Sequence, residues 1–214
     1  MNNAHSRLLS MVVVGIALAT SASGCGNGSP LPAKDSETAT WSYWQSMNAI
    51  AADLQASLQR LLPADTPDEE RAASRKSVGI IRKAASEIGG LDVLNVDQEL
   101  IDYAVEVMSS LNQWATFNEQ SVNIRDDAEA IKARAGSFST MLEAVFRSMG
   151  GDPMGTYGDV KSSVDGLKQR AEQAMPEAYL LQQRLMRLES TEVGLRAVLS
   201  RRYNKEFPRL APGH

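Results

Sequence analysis

The chain has 214 residues, 43% hydrophobic and 22% charged, with 22 Lys and Arg against 26 Asp and Glu for a formal net charge of −4. That composition excludes a disordered or collagen-like chain. One Cys excludes a disulfide framework and a Cys-based zinc site, and the two histidines, His5 and His214, stand near opposite ends, so Ser-His-Asp and Cys-His catalysis, haem ligation and most zinc chemistry are not expected.

Residues 8–22, LLSMVVVGIALATSA, form an apolar run behind a short segment whose only fixed positive charge is Arg7. A membrane-spanning helix needs about 20 apolar residues, so the shorter run reads as the hydrophobic region of a secretory signal. Ala22, Ser23 and Gly24 then lead into Cys25. This segment resembles the lipobox of bacterial lipoproteins. The resemblance covers the signal alone and implies cleavage before Cys25, diacylation of its thiol and acylation of the new amine. It implies an exported, membrane-anchored protein. With Gly26 rather than Asp after the Cys, it implies an outer-membrane position facing the periplasm in a Gram-negative cell. Ordinary signal-peptidase cleavage, for example after the Ala17-Leu18-Ala19 run, is the alternative. The chemistry of the thiol points the same way as the resemblance, because a free Cys in an exported chain is open to oxidation and mispairing. Each buried methylene of an attached acyl chain contributes about 0.8 kcal/mol of anchoring.

Residues 26–40, GNGSPLPAKDSETAT, are rich in Gly, Pro, Ser and Thr and carry no apolar period. They read as a tether reaching at most about 50 Å. The expected organisation is a signal at 1–24, the lipidated Cys and tether at 25–40, a helical domain at 41–207 and a disordered tail at 208–214.

A first helix is expected from about Ser36 to residue 62, since Trp44, Met47, Ala51, Leu54, Leu58 and Leu61 recur at three- and four-residue steps. Pro63 stops it. The second begins at Thr66-Pro67-Asp68-Glu69, which combines a cap, a Pro at the first helical position and a Glu in the capping-box place. Val78, Ile81, Ala85 and Ile88 form its face, and Gly89-Gly90 is expected to end it in a left-handed cap.

The third segment starts near Asn95. Its apolar series is Leu100, Ala104, Val107, Leu111, Trp114 and Phe117, followed after an irregular step by Ile124, Ala128, Ile131, Ala135, Phe138, Leu142, Val145 and Met149. One continuous helix here would be roughly 80 Å long. The change of phase favours a break or kink near Asn118–Asn123. A reversal through residues 150–156 leads to the last segment, whose Val160, Val164, Leu167, Ala171, Ala174, Ala178, Leu181, Leu185 and Leu188 keep the same spacing through Pro176. A kinked helix rather than a stop is expected there, running to about Phe207 before Pro208 and Pro212 end order. The fold expected is all-α: an antiparallel helical bundle of four to six helices with long coiled-coil-like heptad segments.

No Lys or Arg occurs from Ala84 to Ile124, whereas Arg196, Arg201, Arg202, Lys205 and Arg209 crowd the far end. Antiparallel packing of the last two segments sets these regions side by side as internal ion pairs. The sharper alternative sends the basic tail to anionic headgroups. Removal of residues 1–24 makes the chain one charge more acidic, which argues against nucleic acid as a partner.

Glu99, Asp102 and Glu106 share a helix side, yet the Glu-x-x-His pairs of a di-metal bundle are missing. They read as a solvated or salt-bridged face, and no cofactor or metal is assigned. Gly150 to Gly155 is not a phosphate loop, because no GK[ST] follows it. Trp41 and Trp44 open the domain beside the tether, and Met154 and Tyr157 sit at the 150s turn. With Arg201 and Arg202 these are the candidate partner contacts, and Cys25 is the candidate lipidation site. No constellation supports an enzyme. The expected function is a lipid-anchored envelope scaffold or adaptor acting through helix faces, with an envelope protein as partner. Two alternatives stand beside it. One is a module holding a small apolar ligand or lipid near Trp114, Phe117 and Phe138. The other is a passive, self-associating spacer.

Overall fold

The computed structural model describes residues 34–61, 66–148 and 153–210. Among them are four helices and no strand: α1 at Lys34–Gln59, α2 at Pro67–Gly89, α3 at Gln98–Ser148 and α4 at Pro153–Tyr203. The signal, Cys25 and residues 26–33 lie outside the described residues, as do residues 211–214.

α1 begins at Lys34, inside the stretch expected to be tether. Composition there is polar, but tertiary contact overrides it: Thr40 is fully buried, and its hydroxyl accepts the Asp97 N–H at 2.9 Å. The helix ends at Gln59, a little before the expected stop, with a last turn closed by the Arg60 N–H on the Ala56 carbonyl.

α2 starts as its sequence dictates. The Glu69 N–H donates to Thr66 Oγ1 at 3.2 Å while the Thr66 N–H donates to the Glu69 carboxylate at 3.0 Å. This reciprocal box satisfies two amides that a helix start leaves orphaned, and Pro67 has no N–H to orphan. Val78, Ile81, Ala85 and Ile88 are all buried, as their spacing requires. The end differs from expectation. No described glycine has a positive φ, so Gly89-Gly90 makes no left-handed cap. The Gly90 N–H reaches the Ser86 and Glu87 carbonyls, and the Leu91 N–H reaches Ile88. Gly89 serves closeness instead, since a Cβ there would stand 3.0 Å from Met108 Sδ.

α3 is one uninterrupted helix of 51 residues, about 76 Å long. The expected break near Asn118–Asn123 is absent. A shift in the apolar phase changes which side chains meet a neighbour, but it removes no backbone donor, and no Pro or Gly stands between Leu91 and Ala135 to do so. Burial passes from Trp114 and Ala115 to Val122, while Phe117 and Ser121 are half-buried. Its start also moves. Asp97 is the cap, its Oδ1 accepting the Glu99 N–H at 3.1 Å, and Asn95 sits upstream at φ 61°. α4 continues through Pro176 as expected, although Pro176 has no N–H to give the Glu172 carbonyl.

The chain divides into two compact units. Unit 1 draws on the chain to Arg60, on Lys83–Ser109 and on the chain from Leu185, and unit 2 on Leu61–Arg82 and Ser110–Arg184. Among the described residues, unit 1 buries Trp44, Met47, Ile88, Leu100, Tyr103, Leu195, Leu199, Tyr203 and Phe207. Unit 2 buries Val78, Ile81, Leu111, Trp114 and Val122. Within unit 2 the pairs Arg75–Asp126 and Arg82–Glu119 set α2 antiparallel to α3. Arg170–Asp127 and Arg184–Gln113, both at 2.7 Å, do the same for α3 and α4. Such exposed contacts contribute about 0–1 kcal/mol each, so they record the register more than they enforce it.

Candidate functional site

Trp41 and Trp44 lie one turn apart on α1, and both meet the segment that follows α4. Their partner is Phe207, edge-on to Trp41 at 5.2 Å and to Trp44 at 5.5 Å between ring centres. Trp44 is fully buried, and its indole N–H donates to the Pro208 carbonyl at 3.0 Å, which satisfies the one polar atom the ring carries. Trp41 keeps partial exposure under the Lys205 ammonium, 3.9 Å above its ring.

This packing depends on how α4 ends. Asn204 takes φ 48°, and the Lys205 N–H reaches back to the Ser200 carbonyl at 3.2 Å. That is a Schellman closure, with Asn in the left-handed place. It turns the chain back as a strap. The Phe207 N–H donates to Ser200 Oγ, Arg196 Nε donates to the Phe207 carbonyl at 2.9 Å, and the Leu210 N–H donates to the Glu192 carboxylate at 3.0 Å. Arg209 pairs with Glu189 at 2.7 Å. Residues 208–210, expected to open a disordered tail, are therefore fastened down. α4 stops at Tyr203, short of the expected Phe207, and Pro208 beyond it leaves its carbonyl to accept from Trp44, a partner far away in sequence.

Glu192 is buried under this strap. Burial pushes its carboxyl above the usual range and outweighs the Leu210 N–H and the Arg196 and Arg209 charges that pull it down, with Glu189 adding a smaller upward push. Tyr103 on α3 is raised too, by burial first and then by the Glu192 and Glu106 charges.

Asp97 is the ionic counterpart. One carboxylate oxygen caps α3, and the other receives Arg202 and the Tyr203 hydroxyl. Arg202 also reaches Glu99 at 3.0 Å, and its partners, Asp97 foremost, hold the guanidinium pKa above its ordinary value. The Tyr203 hydroxyl further contacts Ser36 Oγ at 3.2 Å and Thr40 Oγ1 at 3.4 Å. The acidic stretch and the basic end thus meet inside unit 1.

Among the candidate contacts, Trp44 and Arg202 are thereby committed to internal partners. Trp41 is partly exposed, and Arg201 is exposed with its Nε on the Ala197 carbonyl. Met154 and Tyr157 fall in the first turns of α4, and their side chains lie outside the described residues. Of the acidic trio, Glu99 pairs with Arg202 and Asp102 accepts Gln98 Nε2 at 2.8 Å. Among the described residues no group of three His, Cys, Asp or Glu is placed to hold a metal ion, and no helix is long and apolar enough to cross a membrane.

Unit 2 contains a pocket of about 230 Å³, where Gln120, Asn123, Arg170, Gln173 and Glu177 surround Ile124. Ala174 lines it as well, but no aromatic side chain does, so it is not the aromatic cavity expected near Trp114 and Phe117. A group of exposed apolar residues that sequence spacing missed lies on α4. Met175, Tyr179 and Leu180 are 74%, 61% and 63% exposed. At 100° per residue Val164, Met175 and Tyr179 fall within about 60° of one another, and Val164 is exposed as well. Met175 and Tyr179 sit beside the core series, Val164 was an expected member of it that is exposed instead, and Leu180 lies about 140° round the helix from Met175, so no single apolar phase announced the group. No protein family matches this chain, and no curated relative or solved structure matches it.

Proposed function

We propose that the chain is a lipid-anchored envelope protein, held in a membrane through acyl chains at Cys25, that serves as a scaffold or adaptor through helix-face contacts. Its folded part is an antiparallel bundle with coiled-coil-like heptads. Catalysis has no part in this reading. The observation that carries it is the exposed trio Met175, Tyr179 and Leu180 on α4. A helix that leaves apolar residues in water on adjacent turns at its middle has surface to offer a partner. Neighbouring charges such as Arg170 are already paired within the unit.

The test is native mass spectrometry of the full-length protein extracted from its own envelope, with a photo-crosslinking residue at Tyr179. A protein companion captured at 179, and lost on Met175→Ser with Leu180→Ser, is the expected result. A chain without acyl mass removes the anchor. A crosslink only between copies of this chain moves the assignment to a self-associating spacer.

A further inference from the structure

Among the described residues of unit 1, the loop joining α2 to α3 carries an adjacent pair of exposed apolar side chains. Val93 is 50% and Leu94 70% exposed. Their display is built into the backbone. The Val96 N–H closes a four-residue turn on the Val93 carbonyl at 3.2 Å, with Asn95 in the left-handed region at its third position. The Asp92 carboxylate accepts the Leu94 N–H at 3.0 Å. Leu94 is thus at the tip of a fixed turn, with the adjacent acid occupied by its own amide.

The place of this turn matters. Asp97, just beyond it, is bonded to Thr40, and Ser36 meets Tyr203. Thr40 lies only about 9 Å along the helix axis from the start of α1. The turn, the start of α1 and the end of α4 therefore gather at one end of unit 1. Cys25 precedes that start by a stretch that spans at most about 30 Å in any conformation.

We infer that the Val93–Leu94 turn is a second membrane contact, seated at the headgroup boundary of the same bilayer that holds the acyl chains of Cys25. This inference rests on the lipid-anchor reading. Two side chains are too small a surface for a stable protein interface, which needs about 800 Å² on each partner. A bilayer needs no such area once a short tether holds it at high effective concentration. The contact is apolar in kind. Three cations of this end are engaged internally, Arg202 on Asp97 and Glu99, Arg209 on Glu189 and Lys205 on Trp41. One anchor leaves a domain free to swivel, whereas two contacts give it an orientation.

The test uses the full-length acylated protein with Leu94→Cys. The Cys25 sulfur carries lipid, so the new thiol alone takes an environment-sensitive nitrobenzoxadiazole label. Val93→Cys gives an independent second reading. Gln59→Cys is the control, exposed and about 37 Å further along α1. Each protein is placed in vesicles of phosphatidylethanolamine and phosphatidylglycerol containing lipids with nitroxide on the acyl chain. Expected is a blue shift and several-fold stronger quenching at 93 and 94 than at 59, unchanged by salt. Equal quenching at all three sites on an acylated chain overturns this contact and leaves the anchor standing. An intact mass without acyl chains overturns the anchor and the contact together. Shielding that arises only with a companion protein, and not in pure vesicles, gives the turn to that protein and overturns the proposal.

Discussion

The indole of Trp44, near the start of the chain's first described helix, donates its hydrogen bond to the carbonyl of Pro208 at 3.0 Å. That bond ties the opening of unit 1 to the strap that follows its last helix. The strap is therefore part of the core, and its removal acts on α1 rather than on a loose end.

Phe207→Ala is the sharpest test of this. Phe207 is 1% exposed and packs edge-on against two tryptophans. Its truncation is expected to cost about 3–5 kcal/mol. Urea unfolding followed by tryptophan fluorescence reads both the loss and a red-shifted native spectrum. A change under about 1 kcal/mol means the strap is decoration.

Asp97→Ala removes a helix cap and leaves Arg202 and Tyr203 without a shared acceptor. The expected loss is about 2–4 kcal/mol, the cap supplying about 1 of it. Arg202→Met leaves Asp97 buried but still bonded to the Tyr203 hydroxyl and the Glu99 amide, so it is expected to cost less. Thermal melts of the two variants side by side decide the order.

Glu192→Gln tests the buried carboxyl. In the unfolded chain this group titrates near 4.3, and in the fold it titrates higher. Between the two values the folded protein holds the more protons, so the wild-type contribution falls as pH rises through that window and stays low above it. The amide keeps an acceptor for the Leu210 N–H and carries no charge to desolvate. The variant is expected to gain on the wild type from pH 4 to pH 7, by about 1 kcal/mol or less. A difference that is flat with pH, measured by denaturation at matched ionic strength, would falsify the assignment.

Gly79→Ala and Gly194→Ala are expected to stabilise by about 0.5–1 kcal/mol each, because both are exposed helical positions where a Cβ meets nothing within 4 Å. Gly89→Ala is expected to gain less, since its methyl crowds Met108 Sδ. Equal gains at all three positions would show that Met108 moves aside freely.

Local signals were the legible ones. Thr66, Pro67 and Glu69 announce the start of α2 within four residues, and its buried face follows at regular steps. The spacing of Trp44 and Met47 on α1, and of Leu188, Leu195 and Leu199 on α4, likewise falls on buried positions. What was hidden depends on partners distant in sequence. Nothing near Thr40 says that Asp97 will bury it, and nothing near Pro208 says that Trp44 will hold its carbonyl. The continuity of α3 was misread for a different reason. Its apolar series slips near Ser121, but a slip in side-chain phase leaves the helical hydrogen bonds untouched. The exposed Met175, Tyr179 and Leu180 were overlooked because the neighbouring core series is so regular. Met175 and Tyr179 lie about 40° apart beside it, while Leu180 falls on a different side of the helix.

The contact between Thr40 and Tyr203, 163 positions apart, also sets a timetable for biogenesis. At about 5–20 residues per second, a ribosome needs roughly 8–30 s to travel from one to the other. Through that interval α1 carries its tryptophans with no strap to receive them. Until residues 207 and 208 are made, Trp44 has neither its ring partner nor its acceptor, so this part of the unit 1 core closes late in synthesis.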